Sequence, residues 1–290
     1  MQKIWELDFY SRPILDENGK KVWEVLLCES PLQIEQTEPL FRFSQFCPST
    51  QVNSIWLKEA IEQAIEQAGI PPTKIRFFRQ QMKNMITKSC RDLGIDATVS
   101  RRTIALQGWL ESRMTEVYPQ DPNYQSGPAP MSVRMESPPA SPLPDALLGE
   151  KWAFVSLAAS DFADFNQWDI SFGEAFPILG KGSLAPELTP DSRIPGLIIF
   201  SSRATALAGW MSGLDLAFLS VDEQPQARLL LETGANDRWL LANMVDAQTK
   251  SEAKNFLAAR EKAQQVHFLA IQSDPESESF AGFWLLQAPD

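Results

Sequence analysis

The chain has 290 residues, 44% of them hydrophobic, with a formal net charge of -11, so it can bury a substantial core and divides most naturally into two domains. The acidic balance works against indiscriminate binding to nucleic acid or anionic lipid, because the long-range field repels polyanions. Cys28, Cys47 and Cys90 are too few, too widely spaced and too far from any histidine cluster to read as a disulfide framework or a zinc site, and a reducing compartment fits.

The first residues lack a charged start followed by an apolar run, and no apolar stretch approaches the roughly 18 residues of a bilayer span. The chain therefore reads as neither exported nor membrane-spanning, and without an organelle transit peptide. Residues 4–9 and 22–29 are predicted strands around the turn-forming Asp16-Glu17-Asn18-Gly19, which opens the chain with a hairpin. A third strand is expected over Leu40 to Phe46. Asn53 or Ser54 then caps a helix whose Leu57, Ile61, Ala64 and Ala68 share a face, ended by Gly69, Pro71 and Pro72.

Lys74 to Phe78 is a short strand, followed by a helix with Met82, Met85, Ile86, Cys90 and Leu93 as its buried stripe and Lys83, Asn84, Thr87, Lys88 and Arg91 opposite. Ala97 to Ser100 is a further strand, and Arg101 to Tyr118 is largely helical. Three strands followed by helix, strand, helix, strand and helix is the order of ribonuclease-H-like domains, a fold analogy for the first domain, 1–118. The stretch 119–146 is rich in proline, glycine and serine and reads as a linker. The second domain, 147–290, also reads as α/β. Strands are expected at Trp152–Leu157, Leu197–Phe200 and Leu214–Val221, with a helix over Ala204 to Met211. A hairpin around Gly234, a helix over Ser251–Gln265 and strands at Val266–Ile271 and Phe283–Leu286 complete it. The fold class is mixed α/β in two domains.

Between Lys74 and Arg102 the chain carries Lys74, Arg76, Arg79, Lys83, Lys88, Arg91, Arg101 and Arg102 against only Asp92 and Asp96, with Phe77 and Phe78 among them. Cations that neutralise phosphates, interleaved with aromatic faces that accept unstacked bases, suit single-stranded RNA. The competing reading is a solvated helix face plus structural arginines. Lys83, Thr87 and Arg91 stand four residues apart and share a helix face. Phe77 and Phe78 point to opposite sides of a strand, so one is core and the other, taken as Phe78, is free to stack. Arg101 and Arg102 precede a helix start, where backbone amides also favour anions.

A second reading is a magnesium-dependent nuclease in which Asp8 works with Glu24, Glu29, Glu59 or Glu62. Against it, the end of the next strand carries arginines where such a catalyst wants an acid. His267 lies in the apolar string VHFLAI and reads as a core histidine, and Ser201 and Ser202 read as helix-capping residues. There is no GxSxG elbow, Walker loop or dinucleotide fingerprint. No cofactor or metal is implied. A third reading is a protein-interaction scaffold that meets an acidic partner.

WELDFYSRPILDENGKKVWE, KIRFFRQQM, GEKWAF, IPGLIIFSSRATALAGWMSGLDL, HFLAIQSD and GFWLL together resemble the Tab/Atab family of cyanobacterial and chloroplast RNA-binding proteins, and the resemblance spans nearly the whole chain. It implies a role in translation of a photosystem I messenger and in photosystem biogenesis, on an A/U-rich single-stranded leader. It also implies a functional terminal tripeptide, Trp284, Leu285 and Leu286. Translation machinery or photosystem assembly factors are the expected partners. The family block starts almost at Met1, which implies the bacterial, cytoplasmic form, the plastid relatives residing in the stroma. The RNA-contact set expected is Arg76, Phe78, Arg79, Lys83, Lys88, Arg91, Arg101, Arg102, Trp284, Leu285 and Leu286.

Overall fold

The computed structural model describes residues 3–35, 40–125, 138–180, 182–223 and 226–289. The chain separates into two units, Met1–Ser30 with Leu40–Glu136 and Pro31–Pro39 with Ser137–Asp290. Both mix helices with sheet. Among the described residues, no helix is long and apolar enough to cross a membrane.

In the N-terminal unit β1 (Ile4–Leu15), β2 (Lys21–Glu29) and β3 (Arg42–Cys47) form an antiparallel meander. The first turn forms because the Asp16 carboxylate accepts from the backbone N–H groups of Asn18 and Lys20 at 2.9 and 2.8 Å, while Gly19 takes the left-handed conformation. Asn53 caps α1 (Ser54–Ala68) by accepting from the N–H groups of Ile55 and Trp56, both at 2.9 Å, and Gly69 ends the helix at φ +73°. From there β4 (Lys74–Phe77), α2 (Lys83–Arg91), β5 (Asp96–Val99) and α3 (Ile104–Ser112) follow. The sheet order is β3-β2-β1-β4-β5, with β4 parallel to β1 and β5 parallel to β4. This is the meander continued through helical crossovers into parallel strands that the element order predicts.

The two faces of this sheet differ in chemistry, because strand side chains alternate. Trp5, Leu7 and Phe9 project to one face with Val25 and Leu27, packing on Leu57, Ile61 and Ala64 of α1 and on Ile86 and Cys90 of α2. Glu6, Asp8 and Arg12 project to the other with Glu24 and Arg76, and all five are buried. α3 packs on β1 and β2, and the short 3-10 turn Tyr118–Gln120 packs on β1. The predicted helix to Tyr118 thus ends at Ser112 and continues as a π-helical turn, Arg113–Val117.

The predicted linker 119–146 is narrower than its composition implied. The Leu15 N–H donates to the Asn123 carbonyl at 3.1 Å and the Gln125 N–H to that of Pro13 at 2.9 Å, joining 123–125 to the end of β1. β6 (Ser141–Pro142) pairs with a strand of the second unit, and Leu143 is buried. Tyr124 and Leu143 anchor stretches that prolines disguise. The middle of the linker, 126–137, lies outside the described residues.

The C-terminal unit holds two sheets. One, ordered β10-β11-β12-β6, comprises β10 (Leu216–Asp222), β11 (Arg228–Thr233), β12 (Asp237–Asn243) and β6. The other, ordered β7-β9-β13-β14-β8, comprises β7 (Lys151–Ala158), β9 (Arg193–Phe200), β13 (Val266–Gln272), β14 (Phe280–Gln287) and β8 (Ile170–Glu174). Leu219, Leu229 and Leu231 share one core with Leu197, Ile199, Leu269, Ile271, Trp284 and Leu286. α4 (Ala204–Ser212) adds Leu207 and Met211 to it, and α5 (Ala247–Lys262) adds Phe256. His267 ties the sheets together: its Nε2 accepts from the Leu219 N–H at 2.9 Å and its Nδ1–H donates to the Gln265 carbonyl at 2.9 Å.

Besides β6, this unit holds elements with no counterpart in the sequence reading. The 3-10 stretch Ala159–Gln167 brings Phe162 and Phe165 against Phe283, and β8 adds an edge strand parallel to β14. Gly173 permits that pairing, since a Cβ there would run into the Phe283 carbonyl.

Candidate nucleic-acid interface

α2 is amphipathic as its periodicity predicted. Ile86 and Cys90 are buried, and Lys83, Asn84, Lys88 and Arg91 are exposed. Burial pushes the Cys90 thiol up to about 12, so this side of the helix is apolar lining. On the outer side Lys88 pairs with Asp92 at 2.9 Å, an exposed contact that water and salt compete for.

Arg79 stands just before this helix, past the end of β4. Its guanidinium lies 4.0 Å from the centroid of the Tyr10 ring and 4.8 Å from that of Phe78, and its Nε donates to the Asp8 carboxylate at 2.5 Å. With 22% of its side chain accessible, it lies over two half-buried aromatic rings and still meets solvent. Asp8 and Tyr10 are the residues that sequence reasoning missed as partners of this site. The available signal was alternation in ELDFYSR, which sets Asp8, Tyr10 and Arg12 on one face of β1.

Behind Arg79 the charges are internal. Arg12 donates through Nη1 to Asp8 at 2.9 Å and through Nε to Glu24 at 2.9 Å. Glu24 also accepts from the Tyr118 hydroxyl at 2.5 Å and from Arg113. Glu6 accepts from the Ser30 hydroxyl at 2.5 Å and from the Leu106 N–H at 2.8 Å, where α3 begins. Burial raises the Glu6 carboxyl to about 7, although those two hydrogen bonds and the Arg76 and Arg102 charges oppose the shift.

Several expected contacts are therefore relocated. Arg76 is 3% and Arg102 5% exposed, and both act electrostatically on buried Glu6, so neither reaches a phosphate on the surface. Parallel pairing sets Arg76 beside Glu6, a long-range neighbour that local sequence does not reveal. Arg101 is half-buried. Trp284, Leu285 and Leu286 are all but fully buried in β14, which lies between β13 and β8. Their apolar run is a core strand, and the tripeptide presents no surface to RNA. Lys83, Lys88, Arg91, Arg79 and Phe78 remain at or near the surface.

Of the carboxylates of the nuclease reading, Asp8 and Glu24 meet on the Arg12 guanidinium. Asp8 and Glu24 are occupied by Arg12, Arg79 and Arg113, while Glu29 pairs with Lys3 and Glu62 with Lys58, at 3.4 and 3.3 Å. Glu59 is exposed on α1. Among the described residues, no group of three or more acidic, histidine or cysteine side chains is arranged to hold a metal ion. Arg79 fills the place beside Asp8 where a metal-dependent catalyst wants another acid.

Comparison with known proteins matches the chain in two parts. The N-terminal model of the RNA-binding protein Tab2/Atab2 matches residues 4–113, and the C-terminal domain model matches residues 130–287. The Arabidopsis thaliana protein named TAB2 homolog, chloroplastic is 39% identical over 290 residues, covering 98% of this chain and 74% of that protein. Its Zea mays counterpart is 38% identical over 287 residues, covering 97% of this chain and 70% of that protein. A chain in the cryo-EM structure of the simian T-cell lymphotropic virus intasome with PP2A regulatory subunit B56 gamma aligns at 11% identity and a TM-score of 0.31, over 82% of this chain and 78% of that one. A likeness that weak carries no argument. Matched in both halves and at such identity along nearly its whole length, the chain belongs to the Tab2/Atab2 family of RNA-binding proteins.

Proposed function

We propose that this protein holds a single-stranded, A/U-rich messenger leader on the α2 face of its N-terminal unit, and so supports translation or assembly of photosystem subunits without making or breaking bonds. The observation that carries the reading is the exposed cationic face of α2 beside an arginine clamped between Tyr10 and Phe78. Lys83 to Arg91 spans about 12 Å of helix, enough to follow a backbone over a few nucleotides. Lys83, Lys88 and Arg91 supply charge, while the half-buried rings of Tyr10 and Phe78 offer aromatic surface beside them. Asp8 keeps Arg79 oriented instead of leaving it to wander, which lowers the entropy lost on binding.

Replacing Lys83, Lys88 and Arg91 together by alanine tests the reading. Each contact to a single strand contributes about 0.7 to the slope of log affinity against log salt, so the slope is expected to shrink by about 2 as affinity falls. Circular dichroism should be unchanged, because all three side chains are exposed. Unaltered affinity and slope on an A/U-rich oligonucleotide would remove α2 as the interface. Equal affinity for a G/C-rich strand would remove the A/U preference.

A further inference from the structure

We propose that the C-terminal unit carries a separate docking site for an arginine-rich peptide segment of a protein partner. The site is a cleft of about 630 Å³ where the end of the 3-10 stretch meets the turn before β14, lined by Gln167, Trp168, Asp169, Glu278, Ser279 and Phe280. The Phe280 N–H donates to the Asp169 carbonyl at 2.8 Å, and the Trp168 and Phe280 rings stack with centroids 5.8 Å apart at 28°. Both rings are half-buried, so aromatic surface faces the cleft.

Charge identifies the occupant. The carboxylates of Asp169 and Glu278 are exposed and make no ion pair or side-chain hydrogen bond among the described residues. Asp274 and Glu276, also exposed, precede Glu278 in the same turn. No lysine or arginine occurs anywhere in residues 152–180 or 263–289. The buried carboxylates Asp8 and Glu24 of the other unit are matched by arginines of the same chain, and among the described residues Asp169 and Glu278 have no such match. A guanidinium satisfies both parts of this cleft, since its planar fork pairs with a carboxylate while its face lies on an indole ring. An ammonium group supplies the charge without the plane, and RNA is repelled.

The test titrates the full chain, without RNA, with a labelled peptide of alternating arginine and glycine, followed by fluorescence anisotropy. Salt-sensitive binding is expected, weaker for the lysine–glycine counterpart. Asp169→Asn with Glu278→Gln should weaken binding of the arginine peptide about tenfold, equivalent to roughly 1.4 kcal/mol. Trp168→Leu should erase the preference for arginine over lysine. Glu59→Gln with Glu66→Gln removes the same charge from exposed positions on α1 and should leave binding unchanged. No binding by the native chain, no preference for arginine, or an equal loss in the α1 control would overturn the proposal, the last by showing attraction to net charge alone. The Asn and Gln replacements are isosteric and exposed, so the test survives even if Trp168→Leu fails to fold.

Discussion

The N-terminal sheet buries a salt-bridged layer of Asp8, Arg12, Glu24 and Arg113 on one face, whereas the C-terminal sheets enclose aliphatic and aromatic side chains with the neutral His267 among them. The first arrangement takes its order from the directionality of charged hydrogen bonds, and the second from shape and apolar contact. The contrast teaches that exposure, not sequence position, sorts the basic residues of the first unit. Those on the layer under α3 are tied into buried ion pairs, and those on α2 stay exposed.

Acid should separate the units most strongly. Burial, assisted by the nearby Arg260 charge and opposed by the hydrogen bond to the Gln265 carbonyl, lowers the His267 pKa from 6.5 to about 3. A depressed folded pKa means that the unfolded chain takes up a proton first. The associated stability is present above pH 6.5 and is lost as pH falls toward 3, a linkage of ~5 kcal/mol over that window. Denaturant unfolding followed by probes in each unit should show the C-terminal transition weakening on acidification. In His267→Gln that pH dependence should flatten, and a persisting slope would place the sensitivity elsewhere.

Cutting one member from each interior comes next. Arg12→Met leaves Asp8 and Glu24 buried with a shared cation removed, an expected loss of about 3–5 kcal/mol confined to the N-terminal unit. Trp284→Ala opens a cavity in the C-terminal core, with an expected loss of about 3–5 kcal/mol there. Any RNA-binding defect of Trp284→Ala should track the unfolding of that unit. A folded Trp284→Ala protein with selectively weakened RNA binding would contradict the core placement of β14.

Glu6 gives a smaller effect of opposite sign to that of His267. Its folded pKa is raised from 4.5 to about 7, so its share of stability is present below pH 4.5 and is lost as pH rises through 7, ~3 kcal/mol in all. Glu6→Gln removes the titration, keeps an oxygen to accept from the Leu106 N–H, and places an amide NH2 against the Ser30 hydroxyl, which then acts as acceptor. The N-terminal transition of this variant should lose its decline between pH 4.5 and 7, and retention of that decline would assign it to another group.

Local signals made most of both units legible. The Asp16–Gly19 turn, the Asn53 cap, the Gly69 stop and the spacing of Ile86 and Cys90 each dictate their element from nearby chemistry. What the sequence concealed was long-range. Nothing near Arg76 announces Glu6, because β4 reaches β1 only through parallel pairing. The strand β8 is five residues long and is defined by its partner β14, so ISFGE carries too little pattern of its own. The candidate site was legible where the helix periodicity exposed it, at Lys83, Lys88 and Arg91. Charge did not mean surface at Arg76 and Arg102, which are buried, and the tripeptide that the resemblance marks as functional lies in the core strand its apolar run predicts.

The smallest effect on stability belongs to Lys88, and it sharpens the division between structural and available cations. Lys88 and Asp92 are 60% and 43% exposed and stand one helical turn apart, so water and salt screen their pair and breaking it should cost little. The same side chain, if it lies on the phosphate track, contributes about 0.7 to the salt slope of single-strand binding. Lys88→Ala should therefore leave the unfolding midpoint almost where it was while lowering RNA affinity at low salt more than at high salt. Asp92→Asn, which removes the competing carboxylate and keeps the lysine, should move affinity the other way. The pair of variants shifting together in stability, with no opposite shift in affinity, would return Lys88 to the structural set alongside Arg12.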